Sequence, residues 1–125
     1  MPDEAGEPLY DLYRRGISLL ESGDFAQAAV PLRKAAALEP EKTSIREALG
    51  RALFRSRQYE EAAREFEAVV ERAPTNDYAL FCLGRSLMES GRPADARKPL
   101  VLAANLRPDR RDYRYYRRLL DAETG

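Results

Sequence analysis

The chain has 125 residues, 44% apolar and 34% charged, and its 21 Lys and Arg balance 21 Asp and Glu. That length suits one domain with one core, and the composition excludes an intrinsically disordered chain. A net charge of zero gives no overall field toward nucleic acid or an anionic membrane, no apolar run is long enough to cross a bilayer, and histidine, the commonest general base and metal ligand, is absent.

Residues 1–8 are acidic, lack the basic and apolar segments of a secretory signal, and read as a short flexible tail. A lone cysteine, Cys82, has no intramolecular disulfide partner, so the expected compartment is the reducing cytoplasm.

From Leu9 the chain repeats. Gly16, Gly50 and Gly84, then Ala28, Ala62 and Ala96, then Pro40, Pro74 and Pro108 each recur at steps of 34 residues. Such a period marks stacked supersecondary units whose cores are completed by their neighbours. The first unit spans 9–42. Leu12, Gly16, Leu19 and Leu20 at helical spacing predict a helix over 9–22, and the Gly23-Asp24 corner ends it, with Asp24 placed to cap the next helix through its carboxylate. Ala28, Leu32 and Ala35 mark a second helix over 25–38, whose small residues opposite the glycine register let two backbones approach closely. Pro40 stops it.

The second unit, 43–76, repeats the scheme with Leu49, Gly50, Leu53 and Phe54 over 43–56 and Ala62, Phe66 and Val69 over 59–72. Its corner is Arg57-Gln58, so Arg57 must adopt a left-handed conformation without the freedom of glycine. The third unit, 77–110, carries Leu80, Leu83, Gly84 and Leu87 over 77–90 and Ala96, Leu100 and Ala103 over 93–106, around a Gly91-Arg92 corner. Pro31 and Pro99 occupy equivalent places, with Glu65 between them in the register, and each predicts a bend because proline crowds the carbonyl four residues earlier. A last helix over 111–122 puts Tyr113, Tyr116 and Leu120 on one side, where they can lean back on the third unit. Arg114, Arg118 and Asp121 present charge where a further unit would dock. That is a capping pattern, and 123–125 remain as a short tail.

These registers resemble the tetratricopeptide repeat family over nearly everything after Pro8. The resemblance implies an all-α, right-handed α-solenoid of three antiparallel helix pairs plus a seventh, capping helix. The chain departs from the family at Leu12, Arg46 and Leu80, where an aromatic is often found four residues before the glycine.

Catalysis is not expected. No histidine activates Cys82, which reads as a small buried thiol, and no phosphate loop, metal-ligand cluster or acid–base pair of carboxylates stands out, so no catalytic, cofactor-binding or metal-ligating residue is expected. The resemblance implies instead a protein-interaction adaptor, because the first helices of such repeats line a concave face that takes peptides. Carried over register by register, that face comprises Tyr10, Tyr13, Ile17 and Leu20, then Ser44, Glu47, Arg51 and Phe54 with Arg55 beside them. Tyr78, Phe81, Arg85 and Met88 follow in the third unit, and Asp112, Tyr115 and Leu119 in the last helix. Aromatic and arginine side chains are what binding hot spots favour. Arg51, Arg55 and Arg85 can clamp an acidic side chain or a C-terminal carboxylate; alternatively Arg51 pairs with Glu47 and Arg85 with Glu89 as surface salt bridges. Co-chaperone members of the family hold chaperone tails with Lys, Asn, Asn, Lys and Arg, whereas the matching places here are Tyr13, Ile17, Ala48, Tyr78 and Cys82, so that activity is not expected.

The expected partner is therefore a protein or peptide, with no membrane. An alternative is anion or nucleic-acid binding by Arg107, Arg110, Arg111, Arg114, Arg117 and Arg118 interleaved with Tyr113, Tyr115 and Tyr116. Asp109, Asp112 and Asp121 dilute that charge and favour the cap reading. Self-association into a homo-oligomer is a further alternative.

Overall fold

A computed structural model describes residues 6–124, with side chains described to Ala122. Residues 1–5 of the expected N-terminal tail and Gly125 of the C-terminal one lie outside the described residues. The described chain is seven helices without a strand: α1 (Leu9–Glu21), α2 (Phe25–Leu38), α3 (Thr43–Arg55), α4 (Tyr59–Arg72), α5 (Asp77–Glu89), α6 (Pro93–Leu106) and α7 (Arg111–Thr124). Each helix packs on the next in sequence, and α1 also touches α3, giving an all-α helical-repeat solenoid. α7 runs past the expected end at 122, since no glycine or proline interrupts it before Gly125.

The glycine register explains the pairing within each unit. A Cβ at Gly16, Gly50 or Gly84 would fall under 3.0 Å from Leu32, Phe66 or Leu100 respectively, so each glycine is a seat for the large side chain sixteen residues on. Around those seats Ala28, Ala35, Ala62, Val69, Ala96 and Ala103 are fully buried.

The three corners share one geometry. Gly23, Arg57 and Gly91 all have positive φ, at 84°, 66° and 77°. Only Arg57 carries a Cβ there, at a cost of about 1–2 kcal/mol. The amides of Asp24, Gln58 and Arg92 then donate to the carbonyls of Leu19, Leu53 and Leu87, satisfying helix-end acceptors. The expected carboxylate cap at Asp24 does not form. With ψ at 69° rather than extended, the residue turns back toward α1, and its Oδ2 accepts from Ser22 Oγ at 3.1 Å. Asn76 does cap its helix, accepting from the Ala79 amide at 3.0 Å.

α2 and α6 continue unbroken through Pro31 and Pro99, both buried. In the second unit Glu65 holds the proline register and Arg46 the register of Leu12 and Leu80. These two departures compensate each other, because Arg46 Nη1 donates to Glu65 Oε1 at 2.8 Å while its Nε donates to the Pro40 carbonyl at 2.6 Å. An apolar contact register has become an ion pair whose side chains are only 24% and 14% exposed.

α7 packs back on α6 and, through Tyr113, on α5. Tyr113 is fully buried, its hydroxyl donates to Asp77 Oδ2 at 2.7 Å, and its ring centroid lies 4.5 Å from that of Phe81. The charges expected to face outward partly turn back: Asp121 accepts from Arg97 of α6 at 2.5 Å, and Arg114 donates to the Pro108 carbonyl.

Candidate functional site

The odd-numbered helices carry three hollows. One of about 200 Å³ lies at the start of α1 and α3, lined by Leu9, Tyr10, Tyr13, Lys42, Ser44 and Ile45. A second of about 170 Å³ lies between α3 and α5, lined by Arg51, Phe54, Arg55, Phe66, Tyr78, Phe81, Cys82 and Arg85. The third, at the end of α1, shares Arg51 and Arg55 with it and adds Leu20, Glu21 and Phe25.

The helical register therefore brings six sequence candidates, Arg51, Phe54, Arg55, Tyr78, Phe81 and Arg85, into one hollow, and Tyr10, Tyr13 and Ser44 into another. The remainder disperse. Ile17 and Met88 pack partly buried against the core, Glu47 and Leu119 are half-buried, and Tyr115 is exposed beside Tyr116. Asp112 is taken up by Arg110, whose Nη2 lies 2.7 Å from Oδ2. Phe81 is only 8% exposed: its ring packs in the core against Tyr113 and Tyr116 and lines the hollow from that side.

The arginines of this face are held by rings. The Arg85 guanidinium lies between Phe54 and Tyr116, 4.9 Å and 4.5 Å from their centroids, and Arg55 sits 4.2 Å over Phe25. Among the described residues neither Arg51 with Glu47 nor Arg85 with Glu89 forms an ion pair. A guanidinium lying on a ring face is positioned by that ring, while its in-plane N–H groups remain directed outward. Tyr116 thus belongs to the site although its register suggested only a capping role. The signal for it was its aromatic type beside the groove series at Tyr115.

Burial pushes the Tyr78 phenol up to about 12 and the Cys82 thiol up to about 11, so both are neutral near pH 7 and the guanidinium groups dominate the hollow's charge. A thiol held protonated is also a poor nucleophile. Burial raises the Glu47 carboxyl, against the lowering influence of Arg51.

The basic, tyrosine-rich segment is largely occupied internally. Arg107 makes two bonds to Asp109, at 3.0 and 2.9 Å, Arg110 makes two to Asp112, at 3.1 and 2.7 Å, and Tyr113 is buried. On the other side of the molecule, a hollow of about 430 Å³ between α4, α5 and α6 is floored by Val70, Leu80, Leu83, Leu87 and Leu102. Among the described residues no group of acidic, Cys or His side chains is placed to hold a metal, and no helix is long and apolar enough to cross a membrane.

Against known proteins, the family model for the tetratricopeptide repeat matches residues 13–77 and again 47–110. No curated protein matches the chain. Among solved structures, MamA (41-end) from Desulfovibrio magneticus RS-1 aligns with a TM-score of 0.88 at 25% identity, covering 94% of this chain and 66% of that one. The first TPR of Spaghetti (RPAP3), bound to the HSP90 peptide SRMEEVD, aligns with a TM-score of 0.84 at 16% identity, covering 93% of this chain and 92% of that one. YrrB, a TPR protein with an unusual peptide-binding site, aligns with a TM-score of 0.82 at 23% identity, covering 90% of this chain and 58% of that one. At 16% and 23% identity the last two show a shared fold alone, and the chain spans less than two thirds of the MamA and YrrB chains.

Proposed function

We propose, for a chain that belongs to the tetratricopeptide repeat family, that it is a non-catalytic adaptor holding a peptide segment of a partner protein along the face of α1, α3 and α5. In this reading the repeats 9–42, 43–76 and 77–110 supply the groove, 111–122 closes it, and the lone Cys82 fits a reducing cytoplasm. The observation that carries it is the convergence of Arg51, Phe54, Arg55, Tyr78 and Arg85 from two parallel-register helices on one hollow with a mainly apolar wall. Such side chains give large contact area and directed hydrogen bonds for little lost rotamer freedom. The structurally similar RPAP3 and YrrB, named for a bound peptide and a peptide-binding site, support a peptide as the class of ligand. The competing reading, nucleic acid on the Arg- and Tyr-rich C-terminal helix, is disfavoured because its Arg107 and Arg110 already engage Asp109 and Asp112.

Affinity capture from lysate tests this with Tyr13→Ala, Tyr78→Ala and an outer-face control, Leu102→Ser. The two groove variants lose the captured partner at unchanged helix content, and the control keeps it. Capture kept by both groove variants and lost by the control rejects the proposal.

A further inference from the structure

Building on that groove reading, we infer that the bound segment is acidic: its carboxylate enters the fan of Arg51, Arg55 and Arg85 while an apolar side chain of the same segment lies in the hollow at Tyr10 and Tyr13. The first support is where the molecule's other cations go. Arg15, Arg33, Arg46, Arg72, Arg92, Arg97, Arg107 and Arg110 each have a carboxylate within ion-pair distance; Arg51, Arg55 and Arg85, like Arg14, Arg57, Arg64, Arg111, Arg114, Arg117 and Arg118, have none among the described residues, and they differ from those others in converging on one hollow. Glu21 lines the adjoining hollow and Glu47 feels the charge of Arg51, but neither forms an ion pair with the three arginines.

The second support is how those cations are held. Phe54 and Tyr116 fix Arg85 and Phe25 fixes Arg55, so their positions are set before any guest arrives. Preorganised donors lose less on binding. A neutral segment covering them would strip water from the guanidinium groups and return no charge, whereas a carboxylate answers the fork with paired, charge-assisted bonds.

Third, α3 sets a spacing. Ser44 lines the tyrosine hollow and Arg51 and Arg55 line the arginine one, on a single helix. Seven to eleven residues at 1.5 Å each separate them by roughly 10–16 Å, the reach of about three to five extended residues. The recognised pattern is therefore an aromatic or aliphatic residue followed or preceded, three to five positions away, by Asp or Glu. A polyphosphate backbone fits less well, because the chain's net charge is zero and the charged lining of the hollow is three arginines only, too few for a long phosphate track.

The test is selection of a random-peptide display library on the immobilised protein. Fluorescence anisotropy of enriched peptides follows, alongside their Glu→Gln and Asp→Asn counterparts, with oligo(dT) as competitor. Enriched peptides carry the acidic residue at that spacing. Its amide counterpart binds at least about tenfold more weakly, Arg51→Gln and Arg85→Gln remove that discrimination, and oligo(dT) does not compete. Enriched peptides without an acid that are nonetheless released by Tyr13→Ala overturn the acidic inference and leave the groove reading standing. Enrichment indifferent to Tyr13→Ala and Arg51→Gln but lost in Leu102→Ser, or no enrichment at all, rejects both. Displacement by oligo(dT) from Arg51 would make the site a nucleic-acid site instead.

Discussion

Arginine is used in two ways on the two faces of this solenoid. On the outside, carboxylates hold several arginines: Arg33 Nε and Nη2 lie 2.8 and 2.9 Å from Glu61, joining α2 to α4, and Arg97 reaches Asp121, joining α6 to α7. On the face of α1, α3 and α5, aromatic rings hold Arg55 and Arg85. A cation satisfied by a carboxylate stitches helices together and is finished. One resting on a ring is equally fixed but still has donors to offer.

That contrast predicts separable effects, and the largest is on binding. Arg51→Glu places a like charge against an acidic guest and weakens a selected peptide more than about 30-fold, roughly 2 kcal/mol, while the melting temperature stays within about 2 °C because Arg51 is exposed. Calorimetric titration and a thermal melt on the same sample check both halves.

Next comes the half-buried pair that belongs to neither class. Arg46→Ala strands Glu65 beside the core and lowers stability by about 1–3 kcal/mol in urea unfolding, with peptide affinity unchanged. The double variant Arg46→Leu with Glu65→Pro, which restores the residues found at the same register in the other units, recovers most of the loss.

Tyr116→Ala removes one of the two rings around Arg85. The loosened guanidinium weakens the acidic peptide by about three- to tenfold, and Arg85→Gln in the same background has little further effect, a coupling that a purely structural role for Tyr116 would not produce.

Smallest is the outer class. Arg33→Ala lowers stability by less than about 1 kcal/mol, since the pair is solvent-screened, and leaves binding alone. The hydrogen bond from Arg33 holds the Glu61 carboxyl below its ordinary value. That stability is present above the unfolded carboxyl value of about 4.3 and is lost as pH falls through the folded one. Arg33→Ala flattens this part of the acid-unfolding curve.

Much of the fold was legible because a strict 34-residue register constrains geometry several times over. The glycine seats, the left-handed Arg57 and the buried side of α7 all follow from it. What escaped depends on distances and backbone angles that periodicity does not encode. Asp24 looks like a cap until its ψ turns the carboxylate the wrong way. Arg46 and Glu65 look like two unrelated departures until 2.8 Å joins them. The register groups Arg51, Phe54, Tyr78 and Arg85 on one stripe with Arg55 beside it, but it does not give the depth of Phe81, which depends on where α7 lands, nor the reach of Tyr116, which both packs on Phe81 and holds Arg85.

The most direct measurement is amide and side-chain NMR of the labelled protein titrated with a display-selected peptide. Saturating shifts centred on Tyr13, Arg51, Phe54, Tyr78 and Arg85, with Arg33, Leu102 and Arg97 undisturbed, are the predicted result. Shifts confined to the hollow of α4, α5 and α6 or to Arg111, Arg114 and Arg118 would contradict it.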